Sequence, residues 1–495
     1  MRPYKTLLPL DRTSRTPLYL QLANGFIHHI SSGGLPPATK LPGSRTLANL
    51  LGINRRTVAT AYEELAAQGW VEIRPNQGCF VSDALPTLKA RALPNTTATH
   101  TSHTAPSFAL HPPPWMLPTE HSTTSALAID DGYPDVRLAP LDTLGKNLAF
   151  LMRTPQTQPL MTYRQSFLGD LDLRRALVEY LAETRGLRVT PAHILLTRGS
   201  LMAFYLLFRT LLRPGEAVIV GTPGFTEGHR TIQLAGGTLV YVPVDAEGLQ
   251  TDAIEALCAQ RSIRAVYIIP HHHYPTTVSL SAARRMHLLD LAERYGFAIV
   301  EDDYDYDFHY ASSPLLPVAS SDPYGAVAYV GSFSKTLAPS LRLGFIVAPE
   351  ALIEQVALRS RFTDSFGNTA LERAVAMLFA SGDLRRHLKK ALGVYRTRRD
   401  AFCTRLHADL GHALDFAMPE GGLAVWARLK QPFTLGAIRA EAAKQGLRLA
   451  DSNAFGPIPQ EALRLGFASR TLEESETLLN LLTTVFYSKQ KSRAT

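Results

Sequence analysis

The sequence predicts two domains of different class. A winged helix-turn-helix spans residues 1–82, and a large α/β domain with a mostly parallel central sheet spans residues 121–490. Three observations carry this. The chain has 495 residues, more than one hydrophobic core organises. Residues 83–120 contain PNTTATHTSHTAPSF and HPPPWMLP, too poor in periodic apolar residues to offset their ordering entropy, and read as a linker. Beyond them, short apolar runs alternate with amphipathic segments, the pattern of parallel strands covered by helices.

The composition, 45% hydrophobic and 19% charged, is that of a globular protein. No apolar run approaches the ~20 residues of a membrane helix. Arg2, Pro3, Lys5 and Pro9 interrupt any signal-peptide core. Cys79, Cys258 and Cys403 are too widely spaced for a metal or redox motif, so a reducing cytoplasm is expected. Net charge is +8, concentrated at one end: residues 1–82 hold nine Lys and Arg against four Asp and Glu. Such a bias suits a polyanionic partner but also suits a solvated face.

Within the first domain, Leu18, Leu22, Phe26 and Ile30 repeat at helical spacing after Pro17, and Gly33–Gly34 stops the helix. Ser44 is expected to cap a short helix, SRTLANLL. The spacing A-x3-G-x5-V at Ala48, Gly52 and Val58 supplies what a helix-turn-helix needs. Its parts are a small residue at the crossing, a turn residue tolerant of left-handed geometry and an anchor on the second helix. Asn54 can cap that second helix, placing Arg55, Arg56 and Thr57 in its first turn, where a recognition helix meets the major groove. Val58, Ala61, Tyr62 and Leu65 face inward. WVEIRPNQGCFV then reads as strand, turn and strand, a wing tipped by Asn76, Gln77 and Gly78. A small protein-interaction module is the alternative.

In the second domain, apolar runs at 217–220, 239–242, 265–269, 298–300, 326–330 and 344–347 read as buried strands, with a helix over Ala282–Tyr295. Four motifs carry chemistry. G-S-F-S-K-x6-R places Lys335 after a buried strand, where an amine can condense with an aldehyde cofactor. Ser332 and Ser334 add hydroxyls, and Arg342 adds a cationic fork for a phosphate. E-D-D-Y-D after the strand FAIV presents carboxylates at a strand end, one of which can hold a protonated pyridine nitrogen. L-L-T-R-G-S opens a helix at Gly199 and Ser200, whose free amides suit a phosphate. T-P-G-F offers the Phe225 ring to a planar group. A solvated acidic turn or a divalent-metal site, a helix cap and a core aromatic are the plain readings of the last three taken singly.

Residues 17–81 resemble the winged helix of the GntR superfamily, on the phrases LPPATKLPGSRTLANLLGINRRTVATAYEELAAQGW and RPNQGCFV. By that resemblance Ser44, Arg45, Arg55, Arg56, Thr57, Gln77 and Gly78 are the expected contacts to double-stranded DNA. Residues 128–486 resemble the fold-type-I aminotransferases. This likeness implies pyridoxal 5'-phosphate bound at Lys335 as the Schiff-base lysine, Asp302 at the pyridine nitrogen and Tyr304 near the ring hydroxyl. It further implies Gly199, Ser200, Ser332, Ser334 and Arg342 around the phosphate and Phe225 stacked on the ring. Arg464 in LRLGFA would grip an effector carboxylate. The fusion of the two, with IVEDDYDYDF and GSFSKTLAPSLRLGF, is similar to the MocR-type regulators. That likeness implies a homodimer with domains crossing between subunits, acting on direct or inverted half-sites and sensing an amino compound or the cofactor itself.

The chain departs from the pattern around the pocket. Pro275–Thr277 reads P-T-T for P-T-G, preceded by His271, His272 and His273. Residues 163–169 read YRQSFLG with one residue extra, Phe225 replaces a more common tyrosine, and Leu201 a common glutamine. No metal site is expected, because three consecutive histidines in a turn cannot all face one ion. These departures leave the effector open, along with a working aminotransferase, or a residual half-reaction, as the alternative activity.

Overall fold

The computed structural model describes residues 3–85, 108–113, 115–116, 127–162, 166–310, 316–450 and 452–494, with the backbone alone at 452, 453 and 490–494. Most of the expected linker and the first three residues of YRQSFLG lie outside the described residues. The chain divides into two compact units between residues 121 and 122.

The first unit packs the helices Leu18–Ser31, Ser44–Leu51 and Arg55–Ala67 around Leu22, Phe26, Leu47, Val58, Ala61 and Leu65, all fully buried. Gly52 links the last two helices in the left-handed region at φ 63°, where a side chain would be strained. Ala48 is buried at their crossing. Asn54 caps the second of them, its Oδ1 accepting the Arg56 amide at 2.8 Å. The expected cap at Ser44 is not made. Gly43 occupies the cap position, and Ser44 already sits inside the first turn with its hydroxyl turned to Arg55 Nε at 3.4 Å. The strands Val71–Arg74 and Gly78–Val81 pair antiparallel as the wing.

The second unit is built on an eight-stranded sheet. In spatial order its strands are Ile194–Thr197, Gly344–Val347, Val327–Ser332, Ala298–Asp303, Ala265–Ile268, Ala217–Thr222, Thr238–Asp245 and Gly248–Leu249. Five consecutive strands, from Val327–Ser332 to Thr238–Asp245, run parallel. Gly344–Val347 runs antiparallel to its neighbours because the short return after Ser332 leaves no room for a crossover helix. The helices Ser200–Leu211 and Ala282–Tyr295 cover the sheet with Phe204, Leu207, Phe208, Leu288 and Leu291. A separate antiparallel sheet of Leu414–Asp415, Ala424–Leu429 and Ala462–Gly466 packs against Asp383–Leu410 and the C-terminal helix through Leu406, Val425, Leu465 and Leu482.

The carboxyl ends of four parallel strands deliver TPGF, the histidine turn, EDDYD and GSFSK to one edge of the sheet. That edge is where open α/β folds place ligands.

Candidate functional site

Asp302 and Asp303 are consecutive on one strand, so the pleat sends them to opposite faces. Asp303 accepts from Tyr329 and pairs with Arg185 at 3.5 Å, and Arg185 also holds Asp307 at 2.9 Å. Glu301 accepts the amides of Val318 and Ala319, each at 2.9 Å. These acids fasten the strand end. Asp302 is different. Its Oδ2 accepts the Tyr267 hydroxyl at 2.6 Å, while Oδ1 is buried without a partner. Burial pushes its carboxyl up to about 7, against the pull of Tyr267. A buried acceptor in this state fits a cationic ring N–H.

Lys335 follows the strand Val327–Ser332. Its Nζ donates to the Gly132 carbonyl at 2.8 Å and lies 5.0 Å above the Tyr133 ring. Burial holds the ammonium below the ordinary lysine value, opposed by Asp131 and Asp305. That favours the neutral amine a carbonyl group needs.

Gly199 precedes the helix Ser200–Leu211 at φ 81° and ψ 175°. A Cβ there would lie 2.7 Å from Arg342 Nη2, so the guanidinium crosses directly over the glycine. Arg342 Nη2 donates to the Arg198 carbonyl at 3.0 Å, its own backbone strained at φ 51°. The Ser332 hydroxyl accepts the Ser334 amide at 3.1 Å. Gly199, at the start of this helix, and the Arg342 guanidinium are thus adjacent, the kinds of donor that suit a phosphate.

Tyr304 donates to the His272 carbonyl at 2.7 Å and accepts from Arg464 Nη2 at 3.3 Å. Arg464, buried on the strand Ala462–Gly466, also donates to the carbonyls of Asp131 at 2.7 Å and Pro275 at 2.6 Å. Phe225 meets Tyr274 edge-on at 5.4 Å between centroids, and Tyr274 lies 4.6 Å beneath the Arg464 guanidinium. The three histidines diverge. His271 packs on Tyr306 at 4.9 Å, His272 Nδ1 lies 2.9 Å from Asp305, and His273 Nδ1 lies 2.9 Å from Thr276. Among the described residues no cluster of His, Cys, Asp and Glu could hold a metal ion.

Tyr304 and Arg464 thus meet directly, Gly199 meets Arg342, and Lys335 and Arg464 both bond the segment Asp131–Gly132, although these residues are far apart in sequence. Three participants escaped the motif reading. Tyr267 is hidden in the apolar run AVYI, although a buried tyrosine needs a partner for its hydroxyl. Asp131 and Gly132 belong to IDDGYPD, which no local pattern singles out.

On the first unit, Arg45, Arg55, Arg56, Gln77 and Gly78 are exposed, and Ser44 and Thr57 are half-buried. The wing base Arg74 is not free. It pairs with Glu72 at 2.9 Å and Asp83 at 3.1 Å and covers Phe80.

A recognition helix with an exposed basic start defines a DNA-binding module, and the second unit defines the α/β class that holds pyridoxal phosphate. Residues 18–81 match the gntR family of bacterial regulatory proteins, and residues 155–482 match the aminotransferase class I and II family. The chain is 28% identical to the probable rhizopine catabolism regulatory protein MocR of Rhizobium meliloti over 492 residues, 99% of this chain and 97% of that one. It is 30% identical to the HTH-type transcriptional regulator TauR of Rhodobacter capsulatus over 415 residues, 80% of this chain and 81% of that one. The multiple substrate aminotransferase of Thermococcus profundus shares the fold, with a TM-score of 0.69 at 24% identity over 76% of this chain and 97% of that one. The chain belongs to the MocR-type branch of the GntR regulators, in which a winged helix is joined to an aminotransferase class I and II domain. It is a DNA-binding transcription regulator whose aminotransferase-like domain binds pyridoxal phosphate. Among the described residues no helix is long and apolar enough to cross a membrane.

Proposed function

We propose that the large domain is an amine sensor, in which occupancy of the pocket around Lys335 by an amino compound changes the affinity of the winged helix for DNA. The observation that carries this reading is the set Lys335, Asp302 and Gly199–Arg342. It comprises an amine kept toward its neutral form by burial, a buried acceptor with one vacant oxygen, and an anion cradle.

When bound, pyridoxal phosphate supplies an aldehyde carbon and an electron-accepting ring. The residues do the rest. Asp302, steadied by Tyr267, holds the proton on the ring nitrogen. Gly199, Ser200, Ser332, Ser334 and Arg342 would hold the phosphate, Phe225 would pack on the ring, and Tyr304 would serve its hydroxyl. Lys335, whose amine is bonded to the Gly132 carbonyl, would be the residue that holds the aldehyde carbon. Arg464 has five N–H groups and uses three on the main chain and Tyr304, leaving one on each terminal nitrogen for an effector carboxylate. Such a ligand acts only through differential affinity for two states of the protein.

Ser44, Arg45, Arg55, Arg56, Thr57, Gln77 and Gly78 are assigned to DNA, in a cytoplasmic homodimer whose domains run 1–82 and 121–490 with residues 83–120 between them. The test is a titration of purified protein with amino acids and vitamin B6 forms, following visible absorbance and retention on operator DNA together. Lys335→Ala is expected to lose the visible band of the lysine-bound cofactor and the response to amines while keeping DNA binding. A band that survives the substitution overturns the assignment.

A further inference from the structure

The segment that enters the pocket, IDDGYPD, carries three acids with different fates. Asp130 is met by Arg470 at 2.8 Å, by the Ser469 hydroxyl at 2.6 Å and by the amides of Gly132 and Tyr133. Asp135 is met by Arg137 at 2.7 Å and Arg398 at 2.9 Å. Asp131, between them, has no ion-pair partner among the described residues. Its carboxylate receives one bond, from the Tyr274 hydroxyl at 2.9 Å, and it is half-buried.

Its position is the informative part. The carbonyl of Asp131 is bonded by Arg464 and that of Gly132 by Lys335, and the Asp131 carboxylate lies near enough to act electrostatically on both cations. Arg464 bonds the main chain of Asp131 and not its side chain. A second acid deepens the same field. Asp305, buried and tied to His272 through Oδ1, leaves Oδ2 without a partner, and both acids act on Lys335 and Arg464. A monocarboxylic effector with one amine would engage Arg464 through its carboxylate and bring no cation to Asp131.

We propose that the effector is a diamino compound, whose first amine would take the place of the Lys335 amine at the aldehyde carbon, the lysine leaving as the free amine, and whose second, cationic group pairs with Asp131. This rests on the amine-sensor reading above and names the chemical class that sensor selects. A basic amino acid fills all three stations, Lys335, Arg464 and Asp131, and a simple diamine fills two.

The test compares near-isosteres that differ by the second ammonium: L-lysine with L-norleucine, and cadaverine with pentylamine. Each is titrated into the cofactor-loaded protein, with the visible band and affinity for operator DNA as readouts. The expected result is half-saturation at about tenfold lower concentration for the diamino member of each pair. In Asp131→Asn that ratio falls to near one, because the amide oxygen still accepts the Tyr274 hydroxyl but the charge is gone. Asp131→Glu, which keeps the charge, retains a preference. Responses to all four amines without preference, or a preference that survives in Asp131→Asn, overturn the proposal and leave amine sensing standing. An intact band that none of the four perturbs overturns both.

Discussion

The hydroxyl of Tyr267 lies 2.6 Å from Oδ2 of Asp302 and donates to it, so the carboxylate is held in one orientation with its other oxygen buried and unpartnered. Removing the donor leaves a buried acceptor unsatisfied, which costs about 1–3 kcal/mol. Tyr267→Phe is therefore expected to weaken pyridoxal phosphate binding by about tenfold and to displace the visible absorbance maximum. Asp302→Asn, which cannot carry the negative charge opposite a protonated ring nitrogen, is expected to weaken it further. Absorbance titration of the apo-protein checks both.

The crossing of Gly199 and Arg342 makes a sharper claim about the phosphate. A Cβ at position 199 would meet the guanidinium at 2.7 Å and would have to tolerate φ 81°. Gly199→Ala is expected to reduce affinity for pyridoxal phosphate by more than about tenfold, with little change for pyridoxal lacking the phosphate. Equal losses for the two ligands would remove the phosphate role from this cradle.

His229 has both ring nitrogens buried without partners, against Tyr267 at 6.1 Å between centroids. Burial pushes its pKa down to about 4. The native state thus stays unprotonated while the unfolded chain takes up a proton near pH 6.5, so stability falls as pH drops from 6.5 towards 4. The loss from this residue amounts to about 3 kcal/mol at pH 4. Denaturant melts at pH 8 and pH 5 should show a smaller acid penalty in His229→Leu than in the parent protein. An unchanged penalty would place the proton uptake elsewhere.

On the DNA side, the arginines differ in their freedom. Arg55 and Arg56 are exposed at the start of a capped helix, whereas Arg74 is held by Glu72 and Asp83. Replacing Arg55 or Arg56 by Ala is expected to weaken operator binding and to reduce the salt slope by about one. Arg74→Ala should change the slope by less. Binding isotherms across a salt series distinguish the three.

Much of this was readable along the chain because it depends on local physics. Ala48, Gly52 and Val58 mark a helix crossing, a left-handed turn and an anchor within eleven residues, and Asn54 caps by reaching two residues ahead. The helix Ala282–Tyr295 ends where a glycine lets the backbone turn over. Apolar runs located six strands of the large sheet. The cap of the helix Ser44–Leu51 falls on Gly43, one position before Ser44, since cap and first-turn residues look alike in sequence and differ only in dihedral angles. The strand Ile194–Thr197 has only three apolar residues, too short a run to stand out from the motif LLTRGS that overlaps it. The small sheet was missed as well, its strands pairing Trp426 with Arg464 across a long separation.

What local pattern could reach was the inventory: a basic recognition helix, a lysine after a buried strand, an acidic strand end and a glycine at a helix start. What folding alone settled was which of these groups are left wanting a partner. Arg185 takes up Asp303 and Asp307, Arg74 is claimed by two acids, and Arg464 turns to carbonyls, while Asp302 and Asp131 keep oxygens free. Periodicity and capping act over a few residues and so are written in order. Desolvation and charge pairing depend on which residues meet across the fold, and a linear pattern does not carry that information.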